Sequence, residues 1–290
     1  AYEISPRDWS SDVCSSDLAA DPVGETTWVD RADGTRLRVI TAGTGPTVVL
    51  AHGYAVNLVE WNVIMAMLVE RGYRVVTFDQ RGHGQSTVGA DGIGSLQMAG
   101  DYLAVMEATD VRDAVLVGHS MGGFLAIRAL LDVPGVAERL KGLILFATFA
   151  GNVLDGAPQN RAQIPLMRSG LLQKAIQNNT IGTIFGASIC GDNPSPACAQ
   201  VFLEVFREAD LATTLPILVA FDAEDRGDRL GEISVPTIVI CGTSDKTTPP
   251  RQSQRLADGI PGATLVWIEG KGHMLNWEAP EALVEAEIGR

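Results

Sequence analysis

The chain has 290 residues, of which 46% are hydrophobic and 20% are charged, a composition typical of one sizeable globular domain with room for an inserted subdomain. It contains 22 basic and 35 acidic residues, so its formal net charge is −13, and no cluster of lysine or arginine interrupts this excess. The charge therefore excludes the basic surface of a nucleic-acid binder. The most apolar run, at 142–154, is too short and too often broken for a transmembrane segment.

The first residues differ from the rest of the chain. Residues 7–18, RDWSSDVCSSDL, match the in-frame translation of a common sequencing-library adapter through twelve consecutive codons. We therefore interpret residues 1–18 as a disordered artefact from the edge of a metagenomic read and exclude them from fold reasoning. On this interpretation the native N-terminus is missing. We expect the protein in the bacterial cytoplasm, but the sequence does not exclude secretion, because a signal peptide would lie in the missing part. The oligomeric state is not predicted.

From residue 27 onward, short β-branched runs alternate with longer amphipathic runs, the pattern of strands and crossover helices in a mostly parallel sheet. A hairpin that turns at Asp33 and Gly34 comes first. Strands are then predicted over 46–53, 73–82, 113–120, 140–150, 236–242 and 263–270, and helices over 58–72, 95–110, 121–133, 249–260 and 280–290.

The alternation breaks over residues 151–232, where helical periodicity continues without a good strand. We divide the chain into an α/β core, 19–150 and 233–290, and an inserted helical cap, 151–232. Cys190 and Cys198 bracket a Pro/Gly/Asp loop in this insertion, which leaves open whether they form a disulfide or two free thiols. Cys241 ends a hydrophobic strand pattern and is predicted to be a buried thiol.

The motif GHSMGG at 118–123 lies where a predicted strand turns into a predicted helix. A backbone that turns this sharply strains its apex residue, and only glycines such as Gly118 and Gly122 avoid a clash two positions away. The hydroxyl of Ser120 then projects above the carboxyl ends of the strands, and the N–H of Met121 faces any oxyanion formed there. The pattern predicts Ser120 as a nucleophile.

A serine hydroxyl is a weak nucleophile and needs a base, for which four histidines are available. His119 belongs to the motif and is expected to point away from Ser120, while His52 and His83 follow earlier strands and suit structural hydrogen bonding. His273 follows the last strand, at the carboxyl edge of the sheet. We assign the base to His273, with His52 as the second candidate.

A catalytic histidine is oriented by a buried carboxylate. Asp245 follows the strand at 236–242 and stands between Ser120 and His273 in chain order, so we assign it this role. The competing acids are Asp79, Asp222, Asp225 and Asp228.

The order Ser120, Asp245, His273 is that of the α/β-hydrolase fold. From about residue 27 to its end, the chain resembles a lidded α/β-hydrolase of the esterase/lipase type in five segments: AHGYAVN, FDQRGHGQS, GHSMGG, GTSDKTTPP and GKGHM. The resemblance implies a mostly parallel eight-stranded sheet with flanking helices and a cap inserted between its sixth and seventh strands. It also implies that the N–H of Tyr54 is the second oxyanion donor, beside that of Met121.

We therefore expect a serine hydrolase that cleaves carboxylic esters of small to medium apolar molecules through an acyl-enzyme, without metal or cofactor. Related dehalogenases and epoxide hydrolases place Asp at the nucleophile position, so Ser120 argues against both. The alternatives are C–C bond, lactone or perhydrolase chemistry with the same triad, and a non-enzymatic ligand receptor on this scaffold.

Substrate contacts are predicted less directly than the triad. The candidates follow residues 52–56 of the segment AHGYAVN, which carry Tyr54 and which we call the oxyanion loop, or lie in the cap: Asn57, Trp61, Met167, Phe185 and Phe206. Each of them also suits a packing role, and the sequence predicts no preferred acyl length.

Overall fold

The computed structural model describes residues 2–3, 22–153, 155 and 157–288. Their strands are β1 (Tyr2–Glu3), β2 (Glu25–Asp30), β3 (Arg36–Ala42), β4 (Thr47–Ala51), β5 (Arg74–Phe78), β6 (Ala114–His119), β7 (Leu140–Phe146), β8 (Thr237–Gly242) and β9 (Thr264–Ile268). The interpretation of residues 1–18 as a disordered artefact lies outside the described residues, apart from the two that form β1.

All nine strands form one sheet in the order β1-β9-β8-β7-β6-β4-β5-β3-β2. β3 runs antiparallel to β2 and β5, and every other pair is parallel. Strands β4, β6 and β8 are buried at every residue, as expected where helices cover both faces of a parallel sheet. The predicted hairpin is confirmed as β2–β3, and the predicted eight-stranded fold is confirmed in β2–β9, with the short β1 added at one edge.

The α-helices of the described residues are α1 (Asn62–Glu70), α2 (Ser95–Ala108), α3 (Met121–Asp132), α4 (Pro158–Arg168), α5 (Leu171–Ala175), α6 (Asn179–Ser188), α7 (Pro196–Glu208), α8 (Leu211–Ala223), α9 (Pro250–Gly259), α10 (Leu275–Glu278) and α11 (Pro280–Ile288). One face of the sheet packs on α2, α3 and α9, and the other on α1, α10 and α11. The predicted helix over 58–72 is divided, because a 3-10 turn, Leu58–Trp61, precedes α1.

Helices α4 to α8 lie between β7 and β8 and form what we call the helical insertion. Its apolar core includes Val201, Phe202 and Phe206 of α7, and it packs on Val56 and Met274 from loops of the α/β core. Helix α6 was not predicted, since its sequence NTIGTIFGAS combines two glycines with β-branched residues. The three cysteines of the described region are buried free thiols. For Cys241 this confirms the prediction.

None of the helices within the described ranges has the length and apolar character needed to cross a membrane.

Candidate active site

Ser120 is held at the junction of β6 and α3 in a strained backbone conformation, with φ +50° and ψ −116°. Positive φ is uncommon for a residue with a side chain and requires support from the surrounding structure. That support comes from the Ser120 N–H, which donates to Phe146 O at 3.1 Å, and from the Ser120 carbonyl, which accepts from the hydroxyl of Thr148 at 2.5 Å. The end of β7 and the residues just after it therefore fix both sides of the turn.

Glycines let the loop after β4 approach this turn. A Cβ on Gly122 would lie 2.1 Å from the carbonyl oxygen of Ala51, and one on Gly118 would lie 2.6 Å from the Cα of Gly123. A Cβ on Gly53 would lie 3.5 Å from the Cβ of Ser120. The loop that carries Tyr54 thus packs directly against the predicted nucleophile.

His273 and Asp245 meet at the same edge of the sheet. Nδ1 of His273 lies 2.9 Å from Oδ2 of Asp245, and both residues are buried. The other carboxylate oxygen of Asp245 accepts the N–H groups of Thr247 and Thr248 at 2.8 and 2.9 Å, while the Thr248 hydroxyl donates to Oδ2 at 2.8 Å. A carboxylate held by this many donors keeps a fixed orientation and, with it, fixes the imidazole.

The helical insertion also holds the loop of His273. The His273 N–H donates to the Ile189 carbonyl at 3.0 Å. Glu278 bridges the two segments, since its carboxylate accepts the N–H of Gly191 at 2.8 Å and that of Gly272 at 3.1 Å. Burial raises the pKa of Glu278.

His52 orients the peptide between Gly53 and Tyr54. Nε2 of His52 accepts the Gln80 N–H at 2.9 Å, so in the neutral ring Nδ1 carries the proton and donates to Gly53 O at 2.7 Å. Burial holds the pKa of His52 well below its usual 6.5, so the ring is neutral. In a planar trans peptide the carbonyl and the following N–H point in opposite directions. The hydrogen bond that holds the Gly53 carbonyl toward His52 therefore directs the Tyr54 N–H away from His52.

The two remaining histidines also have backbone or acidic partners. Nδ1 of His83 lies 3.0 Å from Arg81 O, and burial lowers the pKa of His83 to about 4. Nδ1 of His119 lies 2.5 Å from Oε1 of Glu60. Within the residues that the structure describes, no group of three or more His, Cys, Asp or Glu side chains is arranged to bind a metal ion.

Ser120 and His273 line one pocket between the sheet edge and the helical insertion, with about 720 Å³ of empty space when its solvent-open part is included. Its remaining walls are mostly apolar and come largely from α4, α6, α7 and α8: Gly53, Tyr54, Val56, His119, Asn160, Gln163, Ile164, Met167, Phe185, Ile189, Phe202, Phe206, Leu218, Phe221, Thr247 and Met274.

Three of the five predicted substrate contacts lie in this pocket and two do not. Met167, Phe185 and Phe206 line it. The side chain of Asn57 instead caps the 3-10 turn by accepting the Val59 N–H at 3.0 Å. Trp61 is fully buried and packs against Phe146, with the ring centroids 5.9 Å apart. The prediction that Asn57 and Trp61 contact the substrate therefore has no support in this pocket.

The sequence analysis missed two polar features of the site. The Thr248 hydroxyl donates a hydrogen bond to the candidate acid Asp245. The sequence signals this role only by placing Thr248 three residues after Asp245 in GTSDKTTPP. Asn160 lines the pocket and donates through Nδ2 to the carbonyls of Val153 and Thr247 at 3.2 and 2.8 Å. No motif marks Asn160, because its partners come from other parts of the chain.

Comparison with known proteins agrees with this architecture. The chain matches the α/β hydrolase family over residues 48–286 and belongs to it. An AB hydrolase superfamily protein of Bacillus subtilis is 30% identical over 241 residues, which cover 83% of this chain and 90% of that protein. A non-heme chloroperoxidase of Burkholderia pyrrocinia is 28% identical over 210 residues, 70% of this chain and 75% of that protein.

Among solved structures, an esterase of Exiguobacterium antarcticum superposes with a TM-score of 0.80 at 26% identity. The alignment covers 92% of this chain and 98% of the esterase. The family and the fold predicted from the sequence are thereby confirmed, and the chain is a member of an enzyme family of hydrolases.

Proposed function

We propose that the protein hydrolyses carboxylic esters of small to medium apolar molecules, with Ser120 as nucleophile, His273 as base and Asp245 as the acid that orients the base. The observation that carries the proposal is that Ser120, on its strained turn, and His273, bonded to Asp245 at 2.9 Å, line the same pocket. These groups are the ones that acyl transfer through a serine requires.

In the first half of the reaction, Ser120 Oγ attacks the ester carbonyl carbon while Nε2 of His273 takes the hydroxyl proton. Asp245 holds Nδ1–H and stabilises the imidazolium that forms. Among the described residues no hydrogen bond joins the Ser120 hydroxyl to the His273 ring, and such bonds commonly tighten in the substrate complex. His273 then protonates the departing alcohol, and the acyl group remains on Ser120.

The oxyanion is stabilised by the N–H groups of Tyr54 and Met121. Within the described structure neither N–H has a hydrogen-bond acceptor in the protein, which supports this role. Each donor contributes about 3 kcal/mol to transition-state stabilisation. In the second half, His273 deprotonates a water molecule that attacks the acyl carbon, and its proton returns to Ser120 as the acid leaves.

The helical insertion acts as a cap that supplies the substrate pocket. Its apolar side chains, including Met167, Phe185 and Phe206, favour an apolar acyl group. The polar side chains of Asn160 and Gln163 reach the pocket from the same helix, α4. The acidic net charge disfavours anionic substrates.

The test is the initial rate of hydrolysis of p-nitrophenyl acetate, butyrate, octanoate and palmitate by the protein and by Ser120→Ala. We expect Ser120→Ala to lose about 10³-fold or more in kcat/KM. We also expect the short and medium esters to react faster than palmitate, since aromatic side chains such as Phe185 and Phe206 stand in the pocket wall. A folded wild-type protein no faster than Ser120→Ala on any ester would contradict the proposal.

A second candidate is perhydrolysis, in which hydrogen peroxide replaces water as the attacker of the same acyl-enzyme. The 28% identity to a non-heme chloroperoxidase favours testing it. The measurement adds peroxide to the ester assay and follows peracid formation, which requires Ser120 as ester hydrolysis does.

A further inference from the structure

A second acid and a second histidine lie behind the candidate nucleophile. Glu60, in the turn before α1, is completely buried. One oxygen of its carboxylate, Oε2, accepts the Gly53 N–H at 2.8 Å, and the other, Oε1, lies 2.5 Å from Nδ1 of His119. Glu60 therefore joins the oxyanion loop to the residue that precedes Ser120.

His119 extends this connection to the candidate base. Its Nε2 lies 3.1 Å from the His273 carbonyl oxygen. A carbonyl oxygen only accepts hydrogen bonds, so Nε2 carries a proton. The ring stacks on Phe146 with the centroids 4.5 Å apart and lies 4.7 Å from the His273 ring.

The contact between Glu60 and His119 is too short for two unprotonated atoms. Two lone pairs 2.5 Å apart would repel each other, so the contact is favourable only with a proton on one of the two atoms. The two atoms form an ion-pair contact, and in the described part of the chain neither of them has a hydrogen-bond partner. Removing one member leaves the other buried without its partner, and buried polar groups in that state are strongly unfavourable.

The pair thus contacts all three segments that carry the candidate catalytic groups. A further bond supports the same assembly, since Nδ2 of Asn276, three residues after His273, donates to the Glu60 carbonyl at 3.0 Å. We propose that Glu60 and His119 are positioning residues, which hold the oxyanion loop, the nucleophile turn and the His273 loop in one fixed arrangement. The proposal rests on the function proposed above only in that Ser120 is the nucleophile.

The test compares Glu60→Gln with Glu60→Ala. A glutamine amide can donate to Nδ1 of a neutral His119 while its oxygen accepts the Gly53 N–H, so Glu60→Gln keeps the connections without the charge. Glu60→Ala removes them. Glu70→Ala is the matched control, because Glu70 is an exposed acid at the end of α1.

The first measurement is the second-order rate constant for labelling of Ser120 by a fluorophosphonate, followed by mass spectrometry on protein shown to be folded by circular dichroism. We expect Glu60→Ala to react about 10- to 100-fold more slowly, because small misplacements of catalytic groups have effects of that size. Glu60→Gln should stay within about threefold of the wild type, since its hydrogen bonds persist. Glu70→Ala should be unchanged.

The second measurement is the affinity for a trifluoromethyl ketone, which forms a tetrahedral adduct on the serine. Its Ki should rise with the fall in the labelling rate across the variants. A role confined to stability would lower the midpoint of thermal unfolding without changing the Ki of the folded fraction.

Should Glu60→Ala fail to fold, Glu60→Gln/His119→Phe replaces it. This variant leaves no unpaired buried charge. It cuts the connections that run through His119 and keeps the bond from Asn276 to the backbone of residue 60, and we expect the same loss. The proposal would be overturned if folded Glu60→Ala, or its replacement Glu60→Gln/His119→Phe, had the labelling rate and the Ki of the wild type. Equal losses in Glu60→Gln and Glu60→Ala would also overturn it. Since labelling requires no particular ester, an absence of esterase activity refutes the proposed function and leaves this test intact.

Discussion

At Gly122 the structure has no space for a side chain. A Cβ there would meet backbone oxygens at 2.1 Å from Ala51 and 2.8 Å from His52, and backbone atoms cannot rotate away as a side chain does. The absence of one methyl group therefore lets the loop of Tyr54 lie against the turn of Ser120. This contact sets the distance between the candidate nucleophile and the proposed oxyanion donor Tyr54.

We expect Gly122→Ala to separate the oxyanion loop from Ser120 and to lower kcat/KM by about 100-fold or more. Ester hydrolysis and the midpoint of urea unfolding, measured together, check this prediction. Gly231→Ala is the control, because nothing lies within 4 Å of the Cβ it would add. Equal activity of the two variants would show that the loop can shift without harm to the site.

Among the secondary-structure elements, those of the sheet were the most predictable from sequence. Buried parallel strands give uninterrupted apolar runs, so β4, β6 and β8 stand out, and Ser120, Asp245 and His273 follow from strand ends and motifs. The walls of the pocket were less predictable, because apolar side chains pack inside the insertion as readily as they face the pocket.

Glu60 was missed for a different reason. It is the single charge in the apolar stretch LVEWNVIMAMLV, a signal that a buried partner is required, but His119 is distant in the sequence. Asn57 and Trp61 were linked to substrate through their place after the oxyanion loop, and the structure turns both toward the protein.

Helix α6 presents two neighbouring side chains to different surroundings. Phe185 lines the pocket, whereas Ile184 is 65% exposed. Truncating Phe185 enlarges the pocket. We expect Phe185→Ala to raise the ratio of kcat/KM for p-nitrophenyl octanoate over acetate by about 10-fold.

Ile184→Ala also shortens an apolar side chain of the same helix, but Ile184 does not line the pocket, so this variant should leave the ratio unchanged. A similar ratio in Phe185→Ala, Ile184→Ala and the wild type would mean that α6 does not contribute to acyl selectivity.

For the whole molecule, neutral buried histidines make stability depend on pH. Burial lowers the pKa of His83 to about 4 and that of His52 well below 6.5. Between the lowered values and 6.5, the unfolded chain binds protons that the folded protein does not. The contribution of these histidines to the free energy of unfolding is therefore greatest above pH 6.5 and decreases as the pH falls toward 4.

His83→Asn tests this effect, because the asparagine amide can replace Nδ1–H as a donor to Arg81 O. In the wild type, the His83 contribution lowers the free energy of unfolding at pH 5 by about 2 kcal/mol relative to pH 7.5. Urea unfolding at both pH values should show a smaller loss in the variant by that amount. The same loss in both proteins would mean that His83 is protonated in the folded state.

The bond from the His273 N–H to the Ile189 carbonyl limits how this enzyme can be recombined with its relatives. Exchanging the helices between β7 and β8 is an obvious route to new selectivity, because they form most of the pocket wall. Such a chimera also replaces a support of the candidate base. Grafts that retain residues 189–191 should keep their turnover while changing their selectivity, whereas grafts that replace them change both at once.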